Sequence, residues 1–132
     1  MLTHEFGIIN NIDMNKLIYE FKNSKFNFSV KIKTYNLFHE YKPQKYGCIS
    51  VDDFIVSKIK YLNFKSYVFN FKESDGFDYY YITIIPPSSL LTIINAINIL
   101  KIDASWRKNA NDLENKLLTA YKLNKFVIHY GI

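Results

Sequence analysis

From Tyr79 to Leu100 the chain reads Tyr-Tyr-Tyr-Ile-Thr-Ile-Ile-Pro-Pro-Ser-Ser-Leu-Leu-Thr-Ile-Ile-Asn-Ala-Ile-Asn-Ile-Leu. As far as Ile85, apolar and aromatic side chains occupy both alternating sets of positions. Tyr80, Ile82 and Ile84 point one way; Tyr79, Tyr81, Thr83 and Ile85 point the other. Such a segment, Tyr79 to Ile85, predicts an interior strand with both faces covered. Pro86 and Pro87 cannot donate to a ladder, so they end it. Ser88 or Ser89 is expected to cap a following helix. Along that helix Leu90, Ile93, Ile94, Ile97 and Leu100 recur at helical steps, a wide stripe that must lie on the sheet.

The same reading extends to the rest of the chain. His4 to Ile9 predicts a short strand. Asn15 to Lys22 predicts a helix with Asp13 as its N-cap. Phe26 to Thr34 alternates, with Phe26, Phe28, Val30 and Ile32 on one side and Asn27, Ser29, Lys31 and Lys33 on the other, which predicts a half-buried strand with a basic wet face. Tyr35 to Tyr46 has no period and contains Pro43, so it reads as a loop. A strand over Cys48 to Val51 follows, then a helix capped by Asp52 or Ser50, with Ile55, Ile59 and Leu62 as its buried stripe. Lys65 to Lys72 predicts a strand that turns around Gly76 and pairs antiparallel with the Tyr79–Ile85 segment. Asp103 to Ala110 reads as irregular around Trp106. Asn111 and Glu114 have the spacing of a capping box for a last helix, with Leu113, Leu117, Ala120 and Tyr121 as its stripe. Asn124 suits the left-handed position after it. Phe126 to Ile132 predicts another inner strand, which a long two-helix connection can place parallel to Tyr79–Ile85. The expected fold class is α+β: a single mostly antiparallel sheet with helices packed mainly on one face, residues 1–132 forming one domain.

Composition narrows the setting. A chain of 132 residues with 48% hydrophobic and 17% aromatic residues is not of disordered type. At that length it buries roughly two-thirds of its unfolded surface without a disulfide or metal. Cys48 is the single cysteine, so no internal disulfide forms, which suits a reducing compartment. No basic leader precedes an apolar run, and no apolar run reaches the roughly 18 residues of a membrane span. The expected location is the cytoplasm. Ile, Lys, Asn, Tyr and Phe dominate, as in proteins from AT-rich genomes, and that bias inflates lysine. The formal charge of +5 is nevertheless uneven: eleven lysines lie between Lys16 and Lys72, against Glu20, Glu40, Asp52 and Asp53. Such a basic region attracts nucleic acid or an acidic protein.

Candidate chemistry is thin. His4, Glu5 and His129 could meet if the terminal strands are neighbours, giving an acid–base set or part of a metal site; strand histidines at a sheet edge are the plainer reading. Cys48, with His39 nearby in sequence, fits a small core residue better than a nucleophile. Asp52-Asp53 resembles a divalent-ion pair, but an N-cap followed by a first-turn acid explains it. Lys22, Lys25, Lys31 and Lys33 interleave with Phe26 and Phe28 as in single-strand binders, although those phenylalanines share the apolar face. Tyr79 to Tyr81 must show at least one tyrosine on each face, and such amphipathic rings anchor interfaces. No phosphate loop, nucleophile elbow or Cys-x-x-Cys motif occurs, and no metal or cofactor is expected.

Four stretches resemble a group of small uncharacterised bacterial proteins: His4-Glu5-Phe6-Gly7-Ile8-Ile9; Tyr41-x-Pro43-x-Lys45-Tyr46-x-Cys48-Ile49-Ser50-Val51-Asp52-Asp53; Tyr81 to Leu90; and Val127 to Ile132. Residues 14–38 are an insertion relative to that pattern. The resemblance implies a small cytoplasmic bacterial protein and transfers no catalytic residue. By type, the chain is similar to immunity proteins of contact-dependent inhibition and polymorphic toxin systems. The leading expectation is therefore a non-enzymatic immunity protein that neutralises a cognate toxin, with Lys22, Lys25, Lys31, Lys33, Tyr79 and Trp106 as partner-binding residues. A small nucleic-acid binder using Lys22 to Lys33, and a hydrolase using His4, Glu5 and His129, are the alternatives.

Overall fold

The computed structural model describes residues 2–16, 35–68, 76–100 and 103–132. Among them lie strands β1 (Thr3–Ile8), β2 (Ile49–Asp52), β3 (Tyr67–Val68), β4 (Ile82–Ile85) and β5 (Val127–Tyr130). They form one sheet in the order β2-β1-β5-β4-β3, antiparallel at every junction. Three helices, α1 (Asp53–Ile59), α2 (Pro87–Asn98) and α3 (Ala104–Lys122), pack on one face of it. The fold is α+β, as the pattern implies. No helix among the described residues is long and apolar enough to cross a membrane.

The helix-covered face carries Phe6, Val51, Ile85 and Val127 from the strands, against Ile55, Leu90, Ile93, Ile94, Ile97, Leu113 and Leu117. The α2 stripe is thus buried as its spacing demands. The opposite face is covered too. There Ile9, Ile84, Ile128 and Tyr130 pack with Phe38 and Tyr46. This explains why β4 and β5 are apolar on both sides: each is an inner strand between two layers.

Several expectations are corrected. β5 runs antiparallel to β4, not parallel. The connection α2–α3 reverses the chain three times, once into each helix and once into β5, and an odd number of reversals gives an antiparallel pair. The strand begins at Ile82; Tyr79 to Tyr81 form bends outside it. Pro87 opens α2 with Pro86 at the N-cap, and no side chain caps that end. Proline is pre-organised for the first helical position and lacks the N–H that a serine would have satisfied. Ser89 instead donates to the Lys65 carbonyl at 2.6 Å.

α3 starts at Ala104, seven residues before the proposed capping box at Asn111. Trp106, Ala110, Leu113, Leu117 and Ala120 follow one another at steps of four and three, so the polar run between Arg107 and Asp112 is the wet side of a helix. Tyr121 falls off that stripe and is exposed. Asn124 takes the left-handed conformation expected of it, with φ 54°.

Asp52 caps α1 by accepting from the Phe54 N–H at 2.8 Å. Asp13 is not an N-cap: the Asn10 side chain accepts from the Asp13 N–H, and residues 11–16 are helical. The Tyr35–Tyr46 segment is not a plain loop. Residues 35–38 are helical, and Pro43–Tyr46 is a 3-10 turn. It roofs the second face, where Tyr46 donates to Asp13 at 2.8 Å and Lys45 pairs with the same carboxylate at 2.9 Å. Burial would raise the Asp13 pKa, but the Lys45 and Tyr46 bonds outweigh it and hold the carboxyl below its ordinary value. The predicted strand over Phe26 to Thr34, and most of the Asn15–Lys22 helix, lie outside the described residues.

Candidate functional site

β1 and β5 are neighbours, and their register places Phe6 opposite His129. Side chains two apart share a face, so His4 and His129 both project under the helices, while Glu5 points to the opposite face. The two imidazoles meet: His4 Nδ1 lies 2.8 Å from His129 Nε2, and both residues are 0% exposed. His129 Nδ1 lies 3.2 Å from Thr83 Oγ1, across the β4–β5 pair. His4 Nε2 lies 3.0 Å from Asp53 Oδ1, at the start of α1. The Tyr79 hydroxyl donates to that same oxygen. Glu5 takes no part; it accepts from the Ser50 hydroxyl at 2.8 Å.

Donor bookkeeping fixes a direction for this chain. The Asp53 carboxylate can only accept, so His4 donates to it through Nε2. A neutral His4 then accepts at Nδ1 from His129 Nε2–H, and a neutral His129 accepts at Nδ1 from the Thr83 hydroxyl, whose oxygen also takes the Asp78 N–H at 2.8 Å. Every bond points toward one carboxylate, and both imidazoles are neutral. Burial lowers the His4 pKa more than the bond to Asp53 and the charges of Asp53 and Asp52 raise it. Burial, with His4 beside it, holds His129 well below its ordinary value. Both imidazoles are therefore uncharged at physiological pH, and the partly exposed end of the chain is Asp53.

On the outer side of this chain lies a groove of about 490 Å³, lined by Lys60, Tyr61, Leu62, Asn63, Phe77, Tyr79 and Tyr80. Its inner wall rests directly on the imidazoles. The Tyr79 ring is 4.8 Å from the His4 ring, and the Phe77 ring 5.3 Å from that of His129. Its rim is aromatic and wet: Tyr61, Tyr80 and the adjoining Tyr81 are 89%, 62% and 70% exposed. Among the described residues Lys60 is the one charged lining residue. Its Nζ stands 5.0 Å from the Tyr61 ring centre and 5.3 Å from that of Tyr79, cation–π distances for both. Two described carboxylates nearby, Asp53 and Asp78, turn inward. Asp53 is held by His4 and Tyr79, and buried Asp78 accepts from the Tyr80 N–H at 3.3 Å.

A single glycine positions the tyrosine bends. Gly131 donates to the Tyr81 carbonyl at 2.8 Å and Ile132 to the Tyr79 carbonyl at 3.3 Å. A Cβ at Gly131 would come within 2.5 Å of the backbone at Tyr79, Tyr80 and Tyr81, a clash that no side-chain movement relieves. Gly131→Ala should therefore displace the tyrosine rim and cost about 1–3 kcal/mol. Urea melts together with amide shifts at Tyr79–Tyr81 check this; an unchanged rim would contradict it.

Of the residues singled out from sequence, Tyr79 forms part of the groove wall. Trp106 lies half-buried on α3 and stacks on Phe54 of α1, with ring centres 5.1 Å apart. Tyr79 and Trp106 thus contact consecutive residues, Asp53 and Phe54, in the first turn of α1. Lys22, Lys25, Lys31 and Lys33 lie outside the described residues. Cys48 is no activated thiol: burial first, then the nearby Glu5 charge, pushes its pKa up to about 12. Asp52 and Asp53 serve as helix cap and histidine partner, and no cluster of three or more metal-ligating side chains is found among the described residues. Comparison with family models, curated proteins and solved structures returned no match.

Proposed function

We propose that this is a non-enzymatic immunity protein of the bacterial cytoplasm that binds and neutralises a cognate toxin domain, and that the tyrosine-rimmed groove is its docking surface. The observation that carries this reading is the rim itself. Tyr61, Tyr80 and Tyr81 stand out from the surface around a concave site whose described lining includes the cation of Lys60. Tyrosines supply large contact area at low entropic cost and are the residues around which binding energy concentrates. Lys60, with the inward-turned carboxylates behind it, favours an acidic face on the toxin.

A hydrolase built on His4, Glu5 and His129 has less to support it. The imidazoles touch, but both are wholly buried behind Tyr79 and Phe77, and Glu5 faces away. A substrate in the groove meets tyrosine and lysine, not histidine.

The test is co-expression with toxin domains encoded beside this gene. The wild-type chain should restore growth and form a complex. Tyr61→Ala and Tyr80→Ala together, in a chain of unchanged circular dichroism, should weaken that complex by at least about thirtyfold, the loss of one hot-spot residue. No rescue and no complex with any neighbouring toxin contradicts the proposal. Salt-dependent RNA binding lost on charge reversal at Lys31 and Lys33 would favour the nucleic-acid reading instead.

A further inference from the structure

The buried imidazole pair has the geometry of a one-proton store placed under a binding surface. In the neutral chain the order is Thr83 O–H to His129, His129 to His4, and His4 to Asp53. One added proton fits without breaking it. The proton sits on His4, which then donates from Nδ1 to His129 Nε2 and from Nε2 to Asp53, while His129 switches to its Nδ1–H tautomer and donates to Thr83 Oγ1. Every ring nitrogen keeps its partner. A second proton does not fit, because His4 Nδ1 and His129 Nε2, 2.8 Å apart, would then both carry hydrogens. The proton arrives at Asp53, whose side chain is 28% exposed.

Charges around His4 favour that single proton from several elements. Asp53 of α1 is in direct contact. Asp52, at the end of β2, adds a second negative charge, and its buried Oδ2 has no hydrogen-bond partner among the described residues. Tyr79, from the segment before β4, contributes a neutral ring and hydroxyl, and His129 of β5 an uncharged imidazole. Among the described residues Lys60, 5.3 Å from the centre of the Tyr79 ring, is the opposing cation.

With one ring between His4 and the groove, we infer that the groove takes a carboxylate-bearing segment of its partner against Lys60, and that proton uptake by His4 tightens this binding. The inference rests on the groove being the docking surface. A protonated His4 adds a positive charge behind the same wall that Lys60 fronts, so an anion in the groove gains attraction from both. Linkage makes the effect reciprocal: an anion bound there raises the proton affinity of His4 by the same factor by which the proton tightens the anion.

Hexaglutamate is a suitable probe, because its carboxylates remain ionised above about pH 5.5. Titrated into 15N-labelled protein, it should shift the amides of Lys60, Tyr61, Asn63 and Tyr80. Its affinity should rise about fivefold or more between pH 7.5 and 5.5. Hexalysine should not bind the groove. In His4→Gln the affinity should lose its pH dependence, and in Lys60→Met it should fall at both pH values. Should His4→Gln fail to fold, wild-type imidazole 15N shifts read the same coupling: saturating hexaglutamate must raise the pH at which His4 protonates. Shifts absent from the groove, a flat pH profile, or an unmoved His4 titration each overturn the inference. Toxin rescue reads Tyr61 and Tyr80 and is independent of the peptide. A flat profile with rescue intact therefore removes only the coupling, whereas loss of rescue removes the docking surface itself.

Discussion

Acidification from pH 7.5 to 5 should strip stability from this fold steadily, starting near pH 6.5. His4 and His129 both have folded-state pKa values below the ordinary 6.5, His129 well below it. In the unfolded chain both titrate near 6.5. Between that value and the lower folded values, the unfolded state therefore binds more protons, and stability rises with pH. The contribution is complete above about pH 6.5 and is lost as the pH falls below it. His129, held well below 6.5, contributes a slope of up to about 1.4 kcal/mol per pH unit, and His4 adds to it until it takes up its proton in the fold. Asp13 acts in a separate window. Its carboxyl is depressed, so its contribution is present above about pH 3.9 and fades only as the pH falls below that. Urea melts at half-unit intervals measure the slope. His129→Gln should remove at least half of it, whatever that variant's absolute stability. A flat profile between pH 7 and 5 would mean that the imidazoles reach water.

Truncation of Ile93 to alanine should be as damaging, at about 2–5 kcal/mol. Ile93 is 0% exposed in the middle of the α2 stripe, packed with Leu90, Ile94 and Ile97 over the sheet. The helix carries no side-chain cap at its N-terminus, so its hold on the sheet depends on this stripe. Leu91→Ala is the matched control. Leu91 is 40% exposed on the other side of the same helix, and its loss should cost well under about 1 kcal/mol. Equal losses from Ile93 and Leu91 would show that α2 does not roof the sheet as described.

What the sequence made legible follows from periodicity. The α2 stripe, the two-sided apolar character of β4 and β5, the antiparallel β3–β4 pair and the left-handed Asn124 all rest on local spacing, and all are present. Longer-range features were less accessible. The start of α3 was hidden because Arg107 to Asp112 is nearly all polar, and only Trp106 and Ala110 betray the buried side. The direction of β5 depended on how α2 and α3 reverse the chain, which no spacing encodes.

The site divides in the same way. His4 and His129 were paired from sequence on the chance that the terminal strands are neighbours, which they are. Glu5, grouped with them from sequence, is turned by the alternation of β1 to the opposite face, where it accepts from Ser50. Asp53 was visible only as a first-turn acid of α1, since its contact with His4 spans 49 positions. Tyr79 was picked out for its amphipathic ring, but its place between the groove and a buried histidine emerges only when β1, β5 and the bends before β4 come together.

The two imidazoles form one closed chain behind the tyrosines, and 15N NMR of the histidine side chains tests this directly. At pH 7.5 both rings should be neutral Nε2–H tautomers, with a through-hydrogen-bond 15N–15N coupling between His4 Nδ1 and His129 Nε2 and slow exchange of the bridging proton. Rings that titrate independently near pH 6.5, with no coupling and rapid solvent exchange, would contradict it.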